Sequence, residues 1–542
     1  MSAGAGALAL TAAAPRARRV DNKWLVTLSI TFGTLMGAID SSIVNVALPH
    51  MRGSVGASIE QITWVSTAYI IANVLVMPLT GFLGRQFGQK RMYMACLVIF
   101  LVGSALCGTA RTLPALVVFR VIQGLGAGAL QPTEQAILRQ TFPPQEQGMA
   151  MALFAMAVMV GPAVGPSLGG WITDNYSWPW IFYINLPIGI VGLFMVFRFV
   201  HEPDDIREEN KKRAAEQRKH MDWAGIVLLC IGLAAMQYFL EEGGRHDWFD
   251  SDLMIGCAFV AAVALIAFVI RELTAPVPVV NLALFRDRTF LSGTLIGAVM
   301  FAMLIGSMFL LPLFMQELMG YTATQSGLML MPRTLVMMLT VPIVGRLYNR
   351  VHPAWFISFG VICFAIGAYL LSHLTLAASS HDILIPMLVT GVGFACLFVP
   401  LTTAALTHIP RHSMSDATGL NSLVRQTGGS IGIAIFAVLL TRYAAEARAS
   451  IGAHITALRP EVMTQVAAMK RALMARGLDG FTAERQALRV LAGRVARQAG
   501  VISFEKAFLV QGVAFLAVLP LLFFLKLDRK KAAATKVAVH LE

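Results

Sequence analysis

Fourteen stretches of the chain are apolar over the length of a bilayer crossing, near 24–48, 62–83, 92–110, 114–138, 148–172, 180–200, 222–240, 253–272, 289–315, 325–348, 355–374, 382–407, 414–441 and 502–525. About 20 such residues in a helix cover the roughly 30 Å of hydrocarbon in a membrane. Each stretch is a continuous run rather than ten residues of alternation. Helices, which satisfy their own backbone in lipid, are therefore expected, and barrel strands are not. The fold class that follows is an all-α polytopic membrane protein. A water-soluble enzyme is excluded, because 57% of the 542 residues are hydrophobic and only 13% are charged, against about 25% charged in soluble domains.

An even number of crossings puts both ends on one side, and the Lys/Arg bias identifies that side as cytoplasmic. Eighteen basic residues fall on one set of short connections and the two ends, among them Arg16, Arg85, Arg91, Arg139, Arg288, Arg346, Arg411 and Lys530, and the linker 201–221 adds six more. The short connections opposite hold Arg52, Arg111 and Arg245. The net charge of +13 thus orients the chain and is no nucleic-acid footprint. One segment runs against the bias: 443–500, assigned outside, has nine basic and four acidic residues, at a length where the rule loses force. The Ala-rich start with Arg16, Arg18 and Arg19 looks like a signal peptide. The run after it is span-length and lacks a small-residue cleavage site, so it reads as a retained first helix. All six cysteines lie in apolar runs without C-x-x-C spacing, as packing residues rather than a disulfide framework or zinc site.

The chain also repeats itself. Pro78-x-x-Gly81-x-Leu83 recurs as Pro342-x-x-Gly345-x-Leu347, Ala47-Leu48-Pro49 as Leu310-Leu311-Pro312, and Gly124-x-Gly126 as Gly391-x-Gly393, at offsets of 264, 263 and 267. Two six-helix halves follow, 24–200 and 289–527, with two helices inserted between them at 222–272. The rest is a tail 1–23, the charged linker 201–221, the long outer segment 443–500 and a basic tail 528–542. Internal repeats of this kind mark transporters, with the substrate site between the repeats near the membrane midplane.

Charged residues inside spans usually face a cavity or a partner, since each is expensive in hydrocarbon. Asp40 lies about 24 Å along the first span and Arg120 about 9 Å into the oppositely directed fourth, so both sit in the outer half and can meet. Their pairing reads either as a static salt bridge or as a proton-binding carboxylate responsive to burial, Arg120 and substrate. Glu134, about 30 Å along span 4, reads equally as an interfacial acid beside Arg139 or as a proton entry. Asn45 and Gln123 are expected to line the substrate cavity. Arg425 in Asn421-x-x-x-Arg425-Gln426-x-Gly428-Gly429 needs a partner and is expected to face the cavity or a helix end. Glu317 and Arg333 read as interfacial.

Gly161-Pro162-Ala163-Val164-Gly165-Pro166-Ser167-Leu168-Gly169-Gly170 places Gly161, Gly165 and Gly169 on one helix face, where another helix can approach closely, while the prolines free carbonyls. A generic packing stripe is the plainer reading. Gly124-x-Gly126 has no preceding strand, so it is not a dinucleotide fingerprint. No G-x-x-x-x-G-K-[ST] or H-E-x-x-H occurs. No cofactor or metal is expected. His408 and His412 flank Pro410 in a short connection and read as solvent-exposed.

These residues together resemble the major facilitator superfamily, and within it the fourteen-span drug:proton antiporters of the EmrB/QacA type. Gly81-Phe82-Leu83-Gly84-Arg85-Gln86-Phe87-Gly88-Gln89-Lys90-Arg91 is similar to the superfamily's loop 2–3 motif, and Leu116 to Gly128 to its Arg-centred span 4 motif. The Gly-Pro stretch is similar to the antiporter motif, the Asp40 segment to the span 1 motif, and Trp178 to Gly189 to EmrB-type pumps. The resemblance implies that the Arg120 motif takes part in proton coupling, for which Asp40 and Glu134 are the candidate carboxylates read above, and it implies an antiporter motif at Gly161, Pro162, Gly165, Pro166 and Gly169 and loop 2–3 gating by Gly81, Arg85, Gly88 and Arg91. Arg85 departs from the motif, which carries an acid there, and this places the motif's charge relay in doubt. The resemblance also implies a periplasmic adaptor and an outer-membrane channel as partners, with Val462, Val466, Met469 and Leu473 forming a stripe that serves either an adaptor or the protein's own packing.

The function expected is a proton-coupled exporter in the inner membrane that moves hydrophobic compounds, cationic ones included, by alternating access. A nutrient importer of the same fold and a non-transporting membrane enzyme or scaffold are the rival readings. The Gly-Pro motif weighs against the first. The second would need a cluster of polar catalytic groups at one membrane face, and no such cluster is visible in the sequence.

Overall fold

The computed structural model describes residues 22–520, apart from 144, 349 and 457–458; the tails 1–21 and 521–542, with the basic residues expected there, lie outside them. Fourteen helices are long and apolar enough to cross a membrane. The first six are α1 (Lys23–Val55), α2 (Glu60–Phe87), α3 (Gln89–Thr109), α4 (Leu113–Thr141), α5 (Gln147–Asn175) and α6 (Trp180–Phe199). An inserted pair follows, α7 (Trp223–Arg245) and α8 (Asp252–Thr274). The last six are α9 (Arg288–Glu317), α10 (Thr324–Leu347), α11 (Pro353–Leu371), α12 (Ser380–Ala405), α13 (Arg411–Ala453) and α14 (Gly480–Leu516). No strand occurs among the described residues, and the architecture is all-α, as expected.

The repeated Pro-x-x-Gly motif explains how the halves meet. Gly81 near the end of α2 lies against the start of α13, where a Cβ would run into Asp416, and Gly345 near the end of α10 lies against Gly148, Met149 and Ala152 at the start of α5. The two glycines thus make equivalent seams, one per half, at the end of the bundle where α2 and α10 finish. Glycine is required because any side chain would hold the helices apart. Phe154 of α5 and Phe398 of α12, 6.2 Å apart, continue the contact inward.

The inserted pair is not a detached hairpin. α7 lies across the seam: Tyr238 stacks on Trp64 of α2 at 5.4 Å, Thr67 of α2 donates to Glu242 at 3.1 Å, and Gln237 donates to Ser430 of α13 at 2.7 Å. α8 packs on α7 and leaves Phe259, Ile266 and Ile270 exposed, as a lipid-facing helix does.

The segment 443–500 is helical along most of its length. α13 runs on to Ala453, a separate helix covers Pro460–Met474, and α14 begins at Gly480. Alanine, arginine and glutamate, good helix formers, fill it. Val462, Val466, Met469 and Leu473 are the half-buried face of the separate helix, which packs on α14 and is tied to it by Lys470–Glu484 at 2.6 Å. That stripe is used by the protein's own packing.

Candidate functional site

Asp40 and Arg120 meet inside the N-terminal bundle, and both are sealed from solvent, at 0% and 1% exposure. Arg120 Nη1 donates to Asp40 Oδ2 at 2.7 Å and to Gln123 Oε1 at 2.7 Å, and its Nε donates to the Val65 carbonyl at 3.1 Å. Asp40 Oδ1 accepts from Gln123 Nε2 at 2.8 Å and from Asn185 Nδ2 at 3.0 Å. The guanidinium also lies 4.0 Å from the Tyr69 ring centroid. α1, α2, α4 and α6 all contribute, so the charge pair is held from every side. Charge-assisted hydrogen bonds of this kind offset part of the desolvation cost. Gln123, expected in the cavity, belongs instead to this network, because one helical turn places its amide beside Arg120. Asn185 was missed as a site residue. Its position in the Trp178 to Gly189 motif was the signal available.

The glycine face of α5 is applied to α1 around Asp40. A Cβ on Gly161 would meet the carbonyl carbon of Ala38 at 2.2 Å, one on Gly165 would meet Ser42 Oγ at 1.8 Å, and one on Gly169 would meet Ile43 at 2.7 Å. Ser42 Oγ donates to the Gly161 carbonyl at 2.8 Å. α5 remains one helix through Pro162 and Pro166, and on its other side it packs on α10, where a Cβ added to Gly327 would meet Pro166 at 3.2 Å. A displacement of α1 at Asp40 is therefore felt directly by the helix that forms the seam.

Other expected residues are placed apart from this network. Asn45 stands on an exposed polar face of α1 with Ser41 and accepts from Ser66 at 3.0 Å. Glu134 does not snorkel beside Arg139. It is fully buried, accepts from Thr31 at 3.2 Å, and its Oε2 has no partner, while Arg139 bonds to Gln147. Arg333 is not interfacial. It is buried at 2% exposure, about 14 Å into α10, with its guanidinium 5.6 Å from the Phe364 ring centroid.

At the seam beside Gly81, Arg85 has found an acid. It pairs with Asp416 at the start of α13, hydrogen-bonds the Gln217 side chain of the linker helix Asp204–Lys219 and donates to the Val279 carbonyl at 3.4 Å. The motif's charge is inverted and its partner supplied by the other half, so a charged contact exists where the sequence put one in doubt. Gln89 joins Ser415 beside it at 2.9 Å. Gly88, at φ +84°, makes the turn into α3 in a conformation that favours glycine. Arg91 is exposed, near Glu202, whose carboxyl is raised from its ordinary value mainly by burial.

The C-terminal half holds an apolar cavity lined by Met300, Phe301, Phe394, Phe398, Asn421 and Arg425 among others, with no acidic residue in its wall. The Arg425 guanidinium lies 5.3 Å from the Phe301 and 5.4 Å from the Phe398 ring centroids.

Residues 30–433 match the family described as Major Facilitator Superfamily. The chain is 35% identical over 504 residues to the multidrug export protein EmrB of Haemophilus influenzae, covering 93% of this chain and 95% of that one. It is 32% identical over 501 residues to the fatty acid resistance protein FarB of Neisseria gonorrhoeae, covering 92% and 96%. Among solved structures, the human organic anion transporter MFSD10 superposes with a TM-score of 0.57 at 15% identity, covering 93% of this chain and all of that one, which is a likeness of fold.

Proposed function

Since the chain belongs to the major facilitator superfamily and is an EmrB-like member of it, we propose that it is a multidrug exporter of the inner membrane, driven by protons, with both termini cytoplasmic. It moves hydrophobic toxic compounds outward by rocking its two six-helix halves about the seams at Gly81 and Gly345.

The observation that carries the proton coupling is the sealed Asp40–Arg120–Gln123–Asn185 network on the helix against which the α5 glycine face is packed. A proton on Asp40 removes the charge that holds Arg120, and the amides of Gln123 and Asn185 lose a charged acceptor. α1 is then free to shift relative to α5, and α5 transmits the change to α10. Glu134, a second buried carboxyl nearer the cytoplasmic end, is the station through which the proton leaves. One proton entering at roughly 150 mV supplies about 3.5 kcal/mol, enough for a few-hundred-fold gradient of a neutral compound. On the outer side, exposed Met463, Phe481 and Leu488 of the 443–500 segment offer a periplasmic adaptor its surface, with an outer-membrane channel beyond.

The test is dye efflux in proteoliposomes under an imposed proton gradient. Asp40→Asn keeps the side-chain volume but can neither take up nor release a proton, and its amide nitrogen cannot accept from Arg120, Gln123 or Asn185; it is expected to abolish coupled efflux while exchange of dye down its gradient survives. Full coupled transport by that variant would refute the role of Asp40.

A further inference from the structure

Arg120 and the two buried arginines of the C-terminal half stand in opposite surroundings. Arg120 is met by a carboxylate, an amide oxygen and a carbonyl. Arg425, 7% exposed, has an Nη1 with no hydrogen-bond partner and forms no ion pair among the described residues. Arg333, across the cavity wall residue Phe364, is equally bare: its Nε and Nη2 have no partner. Two cations thus lie in or beside a cavity whose wall holds no acid. Aromatic faces on Arg425 compensate it only in part, and a cation inside a membrane protein ordinarily finds a counter-charge.

We propose that the missing counter-charge is the ligand's: the Arg425 pocket binds an amphipathic organic anion, a carboxylate or sulfonate on a ring-sized apolar body. This assignment builds on the export function above and adds the charge of the substrate. The guanidinium fork matches two oxygens of a planar anion. Asn421, one helical turn before Arg425 and in the same wall, supplies an amide donor to the same head. Met300, Phe394 and Leu401 line the space for the apolar body. Phe398 both contacts Arg425 and touches Phe154 of the other half, so occupancy reaches the seam. A cationic drug meets only repulsion here.

Binding is measured by calorimetry on the full chain in lipid nanodiscs at pH 7, against empty nanodiscs, with three probes of one shape: 2-naphthoate, its uncharged analogue 2-naphthamide, and 2-naphthylmethylammonium. Naphthoate is ionised at this pH. It is expected to bind at least about tenfold more tightly than naphthamide, with the ammonium weakest. Arg425→Met is expected to bring the naphthoate-to-naphthamide ratio to about one. Asn421→Asp, which places a carboxylate beside the guanidinium, is expected to do the same and decides the matter if Arg425→Met does not assemble. Equal affinities in the parent protein, or an anion preference intact in either variant, would overturn the assignment. Proton-driven efflux of Nile red, an uncharged dye, is read on the parent protein in liposomes. Efflux without anion preference defeats the pocket alone. Anion preference without efflux defeats the export reading and leaves the site standing.

Discussion

Arg85 and Asp416 pair across the seam between the two halves, and if the halves rock as proposed the pair acts as a latch whose strength follows from its burial. The two side chains are 8% and 3% exposed. Removing one partner of such a pair leaves a buried charge, at a cost of about 3–5 kcal/mol. Asp416 keeps the favourable end of the α13 dipole, worth up to about 2 kcal/mol. Arg85 keeps Gln217 and the Val279 carbonyl. Each single change therefore falls near about 3 kcal/mol, a roughly hundredfold shift toward the inward-open state; a protein about 99% closed would become about half closed. In Arg85→Ala/Asp416→Ala no charge is stranded, so the double effect should be smaller than the sum, by a coupling energy of about 0.5–3 kcal/mol. Exchanging the two residues should restore closure only in part. Arginine in the first turn of α13 opposes the dipole, and Gly81 leaves it little room, since even a Cβ there would sit 1.8 Å from Asp416 Oδ1. Electron–electron resonance between spin labels at the exposed positions Phe87 and His408 reads the opening. A single variant with the parental distance distribution, or strictly additive effects, would refute the latch.

Gly161→Ala places a methyl 2.2 Å from the carbonyl carbon of Ala38, an overpacking of about 1–3 kcal/mol or more. It should abolish dye efflux in protein that still elutes as a single species, whereas Gly53→Ala, with nothing within 4 Å, should not. Glu202 has its carboxyl raised by burial, so its charged form is the strained one. The folded state binds the proton more tightly than the unfolded, and stability falls as pH rises through the folded-state value. Glu202→Gln should therefore raise the melting temperature at alkaline pH and make no difference in acid; a pH-independent difference would contradict this. An organic anion leaving the cell moves charge in the same sense as an entering proton. Its efflux should respond to membrane potential at about 4.6 kcal/mol per 100 mV, against about 2.3 for a neutral compound, as measured with potassium diffusion potentials in proteoliposomes.

Hydropathy alone was enough to read the fourteen helices, because a span is a local property of about 20 residues. The meeting of Asp40 and Arg120 was legible too, since helix rise converts position into depth and both fall in the outer half. Partners that depend on rotation were not legible. Gln123 and Asn185 could be placed at the right depth but not turned toward Asp40, and Asp416 lies 331 residues from Arg85. The 443–500 segment, counted as connection because its polar residues interrupt the hydropathy, is helical because alanine and charged residues are good helix formers outside the membrane as well. Arg333 was taken for interfacial from its nearness to a span end, yet it lies more than two turns inside α10.

The placement of charge divides the labour between the halves. In the N-terminal half Arg120 is answered by Asp40, so the event proposed to alter that network is a change in the proton content of the carboxyl. In the C-terminal half the cations are unanswered, so the event that alters them is the arrival of an anion. Each event acts on a wall of the same seam: Asp40 through the glycine face of α5, and the Arg425 pocket through Phe398 against Phe154 of that same helix. Proton and substrate therefore need not compete for one carboxylate to be coupled. It is sufficient that α5 adopts one position when Asp40 is charged and another when the pocket is filled, which predicts that Arg425→Met would weaken anion binding without removing the response of α5 to pH. A spin-label distance between α5 and α10 that lost its pH response in that variant would return the coupling to direct competition at Asp40.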